Sequence, residues 1–387
     1  MKKFLTLLII MATVSNMVAQ SQQYSIDGFT YRLAADDHFS LTKIDYKHAQ
    51  LIDCDIEVYN TAAAVSIPSR ITINDIEYPV AVVCTNAFTW MNENQELKIP
   101  ASVEILFADT WPEGIRKASF IESSIRCIGG HALRGWEIST DLNLSNIQTI
   151  LWNAFYESNV EKIRLGPSIE VVGSSAFAFS SLKELTFDDG KQNSLSLSQS
   201  SFWAVKNIKE LKIPKRQKLH LSDGFMSECD NLERVVIPDM DMIDCEAAAC
   251  HDVAMLARPC GMLISGCEKL TEIVCLGSVP PELTGIDDTA KYDNHTGFWI
   301  TDNMDQCILK VPAGSEQAYR NHPVWGKFKT ILGFENGDYT SISSVPSADS
   351  NDAAPVYYNL QGIKVSNPAK GQLYIRTIGS KAEKVIF

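Results

Sequence analysis

The sequence of 387 residues is short of basic residues, and it lacks long apolar runs after its first 20 positions. Lysine and arginine number 34 against 47 aspartates and glutamates, which gives a formal net charge of −13 at pH 7. An acidic chain does not attract a phosphate backbone, so nucleic acid is excluded as the expected partner. No later apolar stretch approaches the length that crosses a bilayer, so we expect no transmembrane segment.

Common catalytic motifs are also missing. The chain has no nucleophile elbow, zinc-protease helix motif, phosphate-binding glycine-rich loop or dinucleotide fingerprint, and its seven histidines are scattered. The spacing of Cys245, Cys250, His251 and Cys260 matches no familiar metal-ligand pattern, so a disulfide such as Cys250 with Cys260 is favoured over zinc. We therefore predict a protein that is not an enzyme and that needs no metal or cofactor.

The N-terminus has the features of an export signal. Two lysines precede an apolar run from Phe4 to Val14, and small residues follow near Ala19. This order is typical of a secretory signal peptide, with cleavage expected next to Ala19 or Gln20. We expect residues 1–20 to be removed and the mature chain to be exported, either to the cell surface or into the medium.

The clearest feature of the sequence is an internal repeat of apolar positions about every 22 residues, as from Phe155 to Phe177. Units of this length are too small to bury their own apolar faces, so they must stack on one another as a solenoid. One slot of the pattern holds a large apolar residue in each unit. We call it the large apolar slot, and its members are Phe88, Trp111, Leu133, Phe155, Phe177, Phe202, Met226 and Ile264.

Each unit also contains a short segment in which two apolar residues flank one polar residue, such as Ile163-Arg164-Leu165. A period of two predicts a strand whose apolar residues point inward and whose middle residue points to solvent. A tight turn at Gly173 before Ala176-Phe177 then predicts a short helical or 3-10 segment on the other side of the unit.

Two cysteines occupy a core position of the same pattern. Cys229 and Cys267 each lie three residues after the large apolar slot, where a small apolar side chain would fill the interior. We expect both to be buried thiols.

The run from Ile169 to Phe177, continuing to Leu185, resembles the repeat of the BspA-like leucine-rich-repeat surface antigens of Bacteroidetes. The resemblance covers most of the mature chain and departs at Trp111-Pro112 and in residues 239–261. It implies a right-handed leucine-rich-repeat solenoid, mainly β with short helical or 3-10 turns and with β-rich caps.

The segments after the repeats complete the predicted organisation. Residues 277–283 and 309–331 resemble the module that closes such arrays, and residues 357–376 resemble a short C-terminal β module of exported Bacteroidetes proteins. That last module is either a small β cap or a surface-sorting signal. The predicted domains are a signal peptide (1–20), an N-terminal β cap (21–84), the solenoid (85–277, with an insertion at 239–261), a closing module (278–340), a flexible linker (341–354) and the C-terminal β module (355–387).

Two surfaces are candidates for binding. On the sheet face, outward residues of successive strands form ladders of mixed charge, which either dock a partner or only neutralise each other. The candidate residues there are Glu96, Lys98, Lys162, Arg164, Glu184, Glu210, Lys212 and Arg234.

The second candidate is an aromatic side next to the large apolar slot, where Trp90 and Phe179 accompany four residues that we single out. Exposed rings would stack on sugars or anchor a partner, whereas the alternative is half-buried packing between coils. The four candidates are Trp136, Trp152, Tyr156 and Trp203.

The resemblance implies adhesion to host matrix proteins, host cells or other bacteria, whereas the residues themselves imply only an extended recognition surface. We therefore predict an exported non-enzymatic protein that mediates protein–protein interaction or adhesion through its solenoid surface. The alternative is a carbohydrate-binding component of a glycan-uptake system. The expected partner is an extracellular protein or glycan, and the sequence indicates no oligomeric state.

Overall fold

The computed structural model is a stack of short parallel strands, as the repeat pattern predicts. The residues that it describes are 22–35, 37–39, 42–84, 87–88, 90–91, 94–107, 116–120, 124–138, 141–245, 261–287, 289, 291–292, 295–335, 356–358, 364–365, 373–378 and 381–386. The predicted signal peptide, the linker at 341–354, the slot residue Trp111 and the proposed Cys250–Cys260 pair lie outside these residues.

One side of the stack is a single sheet of 13 strands, which we call the long sheet. Its first two pairings are antiparallel, and from His48–Cys54 onward each strand on the main path pairs with the next in parallel. Arg70–Ile73 pairs off this path with Ile76–Val83. The order on the path is Gln23–Ile26, Phe29–Ala34, His48–Cys54, Ile76–Val83, Ile105–Leu106, Cys127–Ile128, Thr149–Ile150, Val171–Val172, Gly190–Leu197, Arg216–Leu221, Met242–Asp244 and Glu282–Thr284.

A second side, the sheet face of the sequence prediction, consists of three parallel sheets rather than one. The first contains Trp136–Ile138, Arg116–Phe120, Glu96–Ile99 and Ala64–Ser66, and the second contains Leu142–Leu144, Lys162–Leu165 and Glu184–Phe187. The third contains Glu210–Lys212, Arg234–Ile237, Glu272–Cys275, Ile308–Pro312 and Thr330–Phe334. Inward residues of both sides belong to one apolar cluster, so the core lies between them.

Smaller elements complete the described chain. A further parallel sheet contains Phe202–Trp203, Met226–Ser227, Met262–Ser265 and Trp299–Thr301, and the C-terminal sheet is antiparallel in the order Lys364–Val365, Val356–Tyr358, Leu373–Ile378 and Lys381–Ile386. Two hairpins pair Asp37–Phe39 with Thr42–Ile44 and Lys291–Tyr292 with His295–Thr296. The helical segments are Ile56–Tyr59, Glu316–Asn321 and the 3-10 turn Trp325–Lys327.

The turn that contains the large apolar slot bends through the left-handed region twice in five consecutive coils, and once in the following coil, at Gly266. The first column of such residues is His131, Asn153, Ser175, Ser200 and Gly224, and the second is Gly135, Glu157, Phe179, Ala204, Glu228 and Gly266. In the second column, the N–H of Glu157 donates to the carbonyl of Ala178 on the next coil, and the N–H of Phe179 donates to that of Trp203, both at 2.9 Å. The repeated conformation therefore lets the turns bond from coil to coil.

The large apolar slot forms the centre of the core. Every described member is buried, and Phe177 stacks on Phe155 at 5.0 Å and on Phe202 at 5.5 Å between ring centroids. The three rings are nearly parallel, with interplanar angles of 11° and 5°. Each of these coils therefore contacts the next through the face of this ring. Such a contact can repeat only if the coils stack in register.

The described cysteines are all thiols, and Cys229 and Cys267 are buried, as expected. Their neighbours fill the same interior position with other small or flexible side chains. Two aromatic residues of the predicted closing module, Trp325 and Tyr319, are buried in the same apolar cluster. Trp325 Nε1 donates to the carbonyl of Pro281 at 3.0 Å, and the Tyr319 hydroxyl donates to that of Gly277 at 2.9 Å.

Phe177→Ala tests the stacked column. The substitution removes a fully buried ring from between two others, so we expect the free energy of unfolding to fall by about 3–5 kcal/mol in denaturant titrations. Phe179→Ala, at a ring that is 40% exposed, is the control and should cost much less. Equal losses would show that the column is not the core contact described here.

We expect His322 to make the predicted closing module sensitive to pH. Its Nδ1 accepts hydrogen bonds from the N–H groups of Val324 at 3.1 Å and Trp325 at 3.3 Å, which requires that nitrogen to be unprotonated. Burial lowers the pKa of His322, and the carboxylate of Glu282 opposes this only in part. Because the pKa is lowered on folding, the stability from the neutral ring is present above the unfolded pKa of about 6.5 and is lost as the pH falls toward the folded pKa.

We therefore expect the unfolding temperature to decrease between about pH 7 and pH 5, where histidine titrates. His322→Asn keeps an acceptor that does not titrate, so it should reduce the dependence on pH in thermal scans. An unchanged pH profile in that variant would assign the effect to other groups.

Candidate functional site

The predicted sheet-face charges lie in register on neighbouring strands, but they are divided among the three sheets. Lys162 faces Glu184 and Glu210 faces Arg234, whereas Glu96 and Lys98 face Lys117 and Ser119 in the first sheet. The ladder is interrupted after that sheet, because Lys117 pairs with Glu137 of an additional strand, Trp136–Ile138, and not with the following repeat.

In the second sheet these charges form exposed ion pairs. Lys162 Nζ lies 3.6 Å from a Glu184 carboxylate oxygen, and Arg164 Nε donates to Asp188 at 3.0 Å. Three of the four side chains are more than half exposed, and pairs of this kind contribute about 0–1 kcal/mol. This part of the face therefore neutralises itself with little effect on stability.

In the third sheet a more deeply placed network crosses four strands. Arg234 bonds to Glu210 at 3.2 Å and to Glu272, whose other oxygen lies 2.5 Å from Lys310 Nζ. The Glu272 side chain is only 12% exposed. Lys310 was absent from the predicted set because it comes from the closing module, whose strand joins this sheet only in the folded chain.

The remaining positive charges of the set differ from these. Lys212 is exposed and Lys98 is partly exposed, and neither forms an ion pair with another described residue. Val236 and Val274, which share the outward register of Lys212, are buried instead. The third sheet thus presents a charge network beside a covered apolar pair, and not an open row of charges.

Trp136 does not belong to the aromatic side. Its side chain is 1% exposed, because the alternation of Trp136-Glu137-Ile138 in a strand directs the indole inward. Trp90 likewise packs against the core, and its Nε1 donates to the carbonyl of Cys54 at 2.8 Å.

Trp152 is partly buried against the preceding coil. Its ring meets the His131 ring edge-on at 4.3 Å and lies over Gly130, where a Cβ would come within 2.6 Å of the indole nitrogen. The indole fits against the preceding coil because Gly130 has no side chain. Trp152 therefore contributes mainly to packing between coils.

Tyr156, Phe179 and Trp203 form a continuous row over three coils, which we call the aromatic strip. Their ring centroids are 5.4 and 4.7 Å apart, and the rings are tilted by 59° and 64°. The Arg134 guanidinium lies 4.9 Å from the Tyr156 centroid at one end and 3.8 Å from Glu157. The strip combines the aromatic and arginine side chains that dominate protein interfaces.

Phe179 is the unusual member of the strip. It is 40% exposed, and its backbone has a φ of 58°, in the left-handed region that bulky residues rarely occupy. Both ends of its column are glycines, which adopt this conformation without strain. Glu157, Ala204 and Glu228 adopt the same conformation at this position of other coils, so it belongs to the repeated turn, and Phe179 differs from them in carrying a large exposed ring.

Little in the described chain points to catalysis. His220 Nδ1 lies 3.1 Å from an Asp244 carboxylate oxygen on the next strand of the long sheet. However, no group of three or more His, Cys, Asp or Glu side chains in the described residues is arranged to hold a metal ion. Nor does any helix within those residues have the length and apolarity to span a membrane.

Comparison with known proteins agrees with the repeat pattern. A family profile described as "BspA type Leucine rich repeat region" matches six copies, over residues 68–164 and 128–249. No curated protein matches the chain.

Several solved structures are similar in part. A leucine rich cell surface protein from Faecalibacterium prausnitzii is 13% identical, with 68% of this chain and 94% of that chain covered and a TM-score of 0.39. A leucine-rich repeat protein from Bacteroides ovatus is 15% identical (81% and 99% covered, TM-score 0.32). The pneumococcal vaccine antigen PcpA is 12% identical (81% and 99% covered, TM-score 0.27). At such identities and TM-scores, these likenesses carry no argument about a ligand.

Arg234→Met tests the charge network. The variant keeps an apolar stem but leaves Glu210 and Glu272 without the cation between them, so we expect a loss of about 1–3 kcal/mol in urea titrations. The matched change Lys162→Met, at an exposed pair, should cost about 0–1 kcal/mol. If both variants lose the same free energy of unfolding, the four-strand network stabilises the protein no more than an exposed ion pair does.

Proposed function

Because residues 68–249 form a BspA type leucine rich repeat region, we propose that this chain is a non-enzymatic recognition protein that binds an extracellular protein partner. The observation that supports this most directly is the aromatic strip, in which Phe179 is exposed and Tyr156 and Trp203 are partly exposed. Export through residues 1–20, and adhesion to a host or bacterial surface as the result of binding, are parts of the same proposal.

The strip is better suited than the sheet face to provide binding energy. Lys162, Arg164 and Arg234 already have carboxylate partners, so a ligand that used them would have to displace existing ion pairs. Exposed aromatic rings lose no such partner, and their burial is favourable at about 25 cal/mol per Å² of apolar surface. The network at Arg234 therefore stabilises the sheet, while the strip is available for a partner.

The tilt of the rings favours a protein over a glycan. Stacking on a sugar ring uses a flat aromatic face, whereas Phe179 meets Trp203 close to edge-on, at 64°. Tilted rings offer clefts that accept an apolar side chain. A glycan ligand remains the second outcome of the test.

A binding screen distinguishes these alternatives. The chain from residue 21 is applied to arrays of extracellular proteins and of glycans, and the dissociation constant of each hit is measured. Phe179→Asn combined with Trp203→Ser removes two rings, and Asn tolerates the left-handed backbone. We expect this variant to weaken binding to a protein hit by about tenfold or more, as the loss of an interface anchor does.

The matched control replaces Lys162, Arg164 and Lys212 by Glu on the sheet face, and it should bind normally. A protein hit that is lost in the control variant and kept in the strip variant would move the site to the sheet face. A chain that binds glycans and no protein would make the carbohydrate-binding alternative the better account.

A further inference from the structure

Cys229 and Cys267 lie side by side on consecutive coils. Met226 and Ser227 pair in parallel register with Ile264 and Ser265, and each cysteine follows its strand at the same offset. The Ser265 hydroxyl donates to that of Ser227 at 3.0 Å, so the two coils are in close contact just before the cysteines. Neighbouring strands are about 4.8 Å apart, which is within the Cα separation of disulfides.

Both side chains point into the core, where they occupy one interior column. In register, this column contains Ser158, Ser180, Val205, Cys229, Cys267 and Met304, all of them buried or nearly so. Cys229 Sγ donates to the carbonyl of Phe202 at 3.0 Å, and the two thiols also contact each other. Among these six residues, only Cys229 and Cys267 place two thiols next to each other.

We propose that Cys229 and Cys267, which are thiols in this structure, are joined by a disulfide in the exported protein, formed by a thiol–disulfide oxidant while the coils assemble. The expectation of export comes from the proposed function, but the geometry of the pair does not depend on any ligand. The cross-link would connect the two coils on either side of the insertion at residues 239–261, which is the longest interruption of the repeat.

The oxidant is an external disulfide, either that of a thiol–disulfide oxidoreductase or that of oxidised glutathione. The thiolate of one cysteine attacks the oxidant, one oxidant sulfur leaves as a thiolate, and a mixed disulfide forms. The second thiolate attacks this intermediate, the S–S bond of the chain forms and the oxidant leaves fully reduced. The chain loses two hydrogen atoms, and the oxidant gains the two electrons and two protons.

The time of oxidation follows from burial. Cys229 and Cys267 are 0% and 1% exposed. The pKa of Cys229 is raised mainly by its contact with the Cys267 thiol and secondly by burial. The thiolate is the reactive form, so a reduced pair in the finished fold reacts slowly. Oxidation must therefore precede closure of these coils, and once formed, the bond is protected from reductants.

Peptide mapping tests the proposal. The full chain is refolded from denaturant in a glutathione redox buffer, and it is also prepared by export into an oxidising compartment. Each sample is then denatured without reductant, alkylated and digested. We expect a cross-linked peptide that contains both Cys229 and Cys267, while Cys54 and Cys275 are alkylated.

Variants separate the cross-link from simple packing. Cys229→Val reproduces Val205 of the same column, so the variant should fold, expose one further alkylatable thiol at Cys267 and lose the cross-linked peptide. Oxidised wild type should unfold at a temperature about 5 °C or more above the Cys229→Val variant, as expected for closure of a loop of this size. Cys307→Val, at another buried thiol, should leave the cross-link in place.

Two results would overturn the proposal. One is alkylation of both Cys229 and Cys267 in refolded, oxidised chain that has native circular dichroism. The other is a cross-link from either residue to a different cysteine. Neither result would bear on the aromatic strip, because the binding screen and the cysteine mapping use different residues.

Discussion

The structure depends on stacking of coils in register, since no single coil of about 22 residues can bury its own core. Each coil must repeat its backbone path closely enough for the hydrogen bonds of the next coil to form. The left-handed residues of the slot turn meet this requirement, because each bends the chain at the same point and directs an N–H group to the following coil. The parallel rings of Phe155, Phe177 and Phe202 then follow from the same register.

Stacking also decides how charges can act at the surface. In-register side chains on parallel strands are about 4.8 Å apart, so a cation on one strand meets whatever lies on the next. Lys162 with Glu184 and Arg234 with Glu272 are consequences of this spacing. A solenoid face with alternating charge therefore pairs many of its own charges, as Lys162 does with Glu184, whereas the rings of Tyr156, Phe179 and Trp203 lie at the turns.

The same geometry brings together groups that are far apart in sequence. Cys229 and Cys267 lie on consecutive coils although 38 residues separate the paired positions Met226 and Ile264. Arg234 and Lys310 lie two strands apart and contact the same carboxylate, that of Glu272. Of the predicted insertion at 239–261, Met242–Asp244 forms a strand of the long sheet, and the coils of Met226–Ser227 and Met262–Ser265 remain paired in register. Solenoids tolerate such insertions since each coil contacts only its neighbours.

Periodicity in the sequence determined a solenoid, its large apolar slot and the inward or outward direction of most strand residues, and the resemblance to BspA-like repeats added the leucine-rich-repeat class. The solenoid, the slot and these directions follow from local alternation and from a repeat that is visible in single residues such as Phe155 and Phe177. The sequence could not show that Trp136 starts an additional inward-facing strand, because its aromatic neighbours at similar offsets lie in turns. It also could not show that Glu157 and Phe179 adopt left-handed backbones without glycine, or that Lys310 enters the network of Arg234. Those features arise from contacts between coils, and only the tertiary register decides which residues meet.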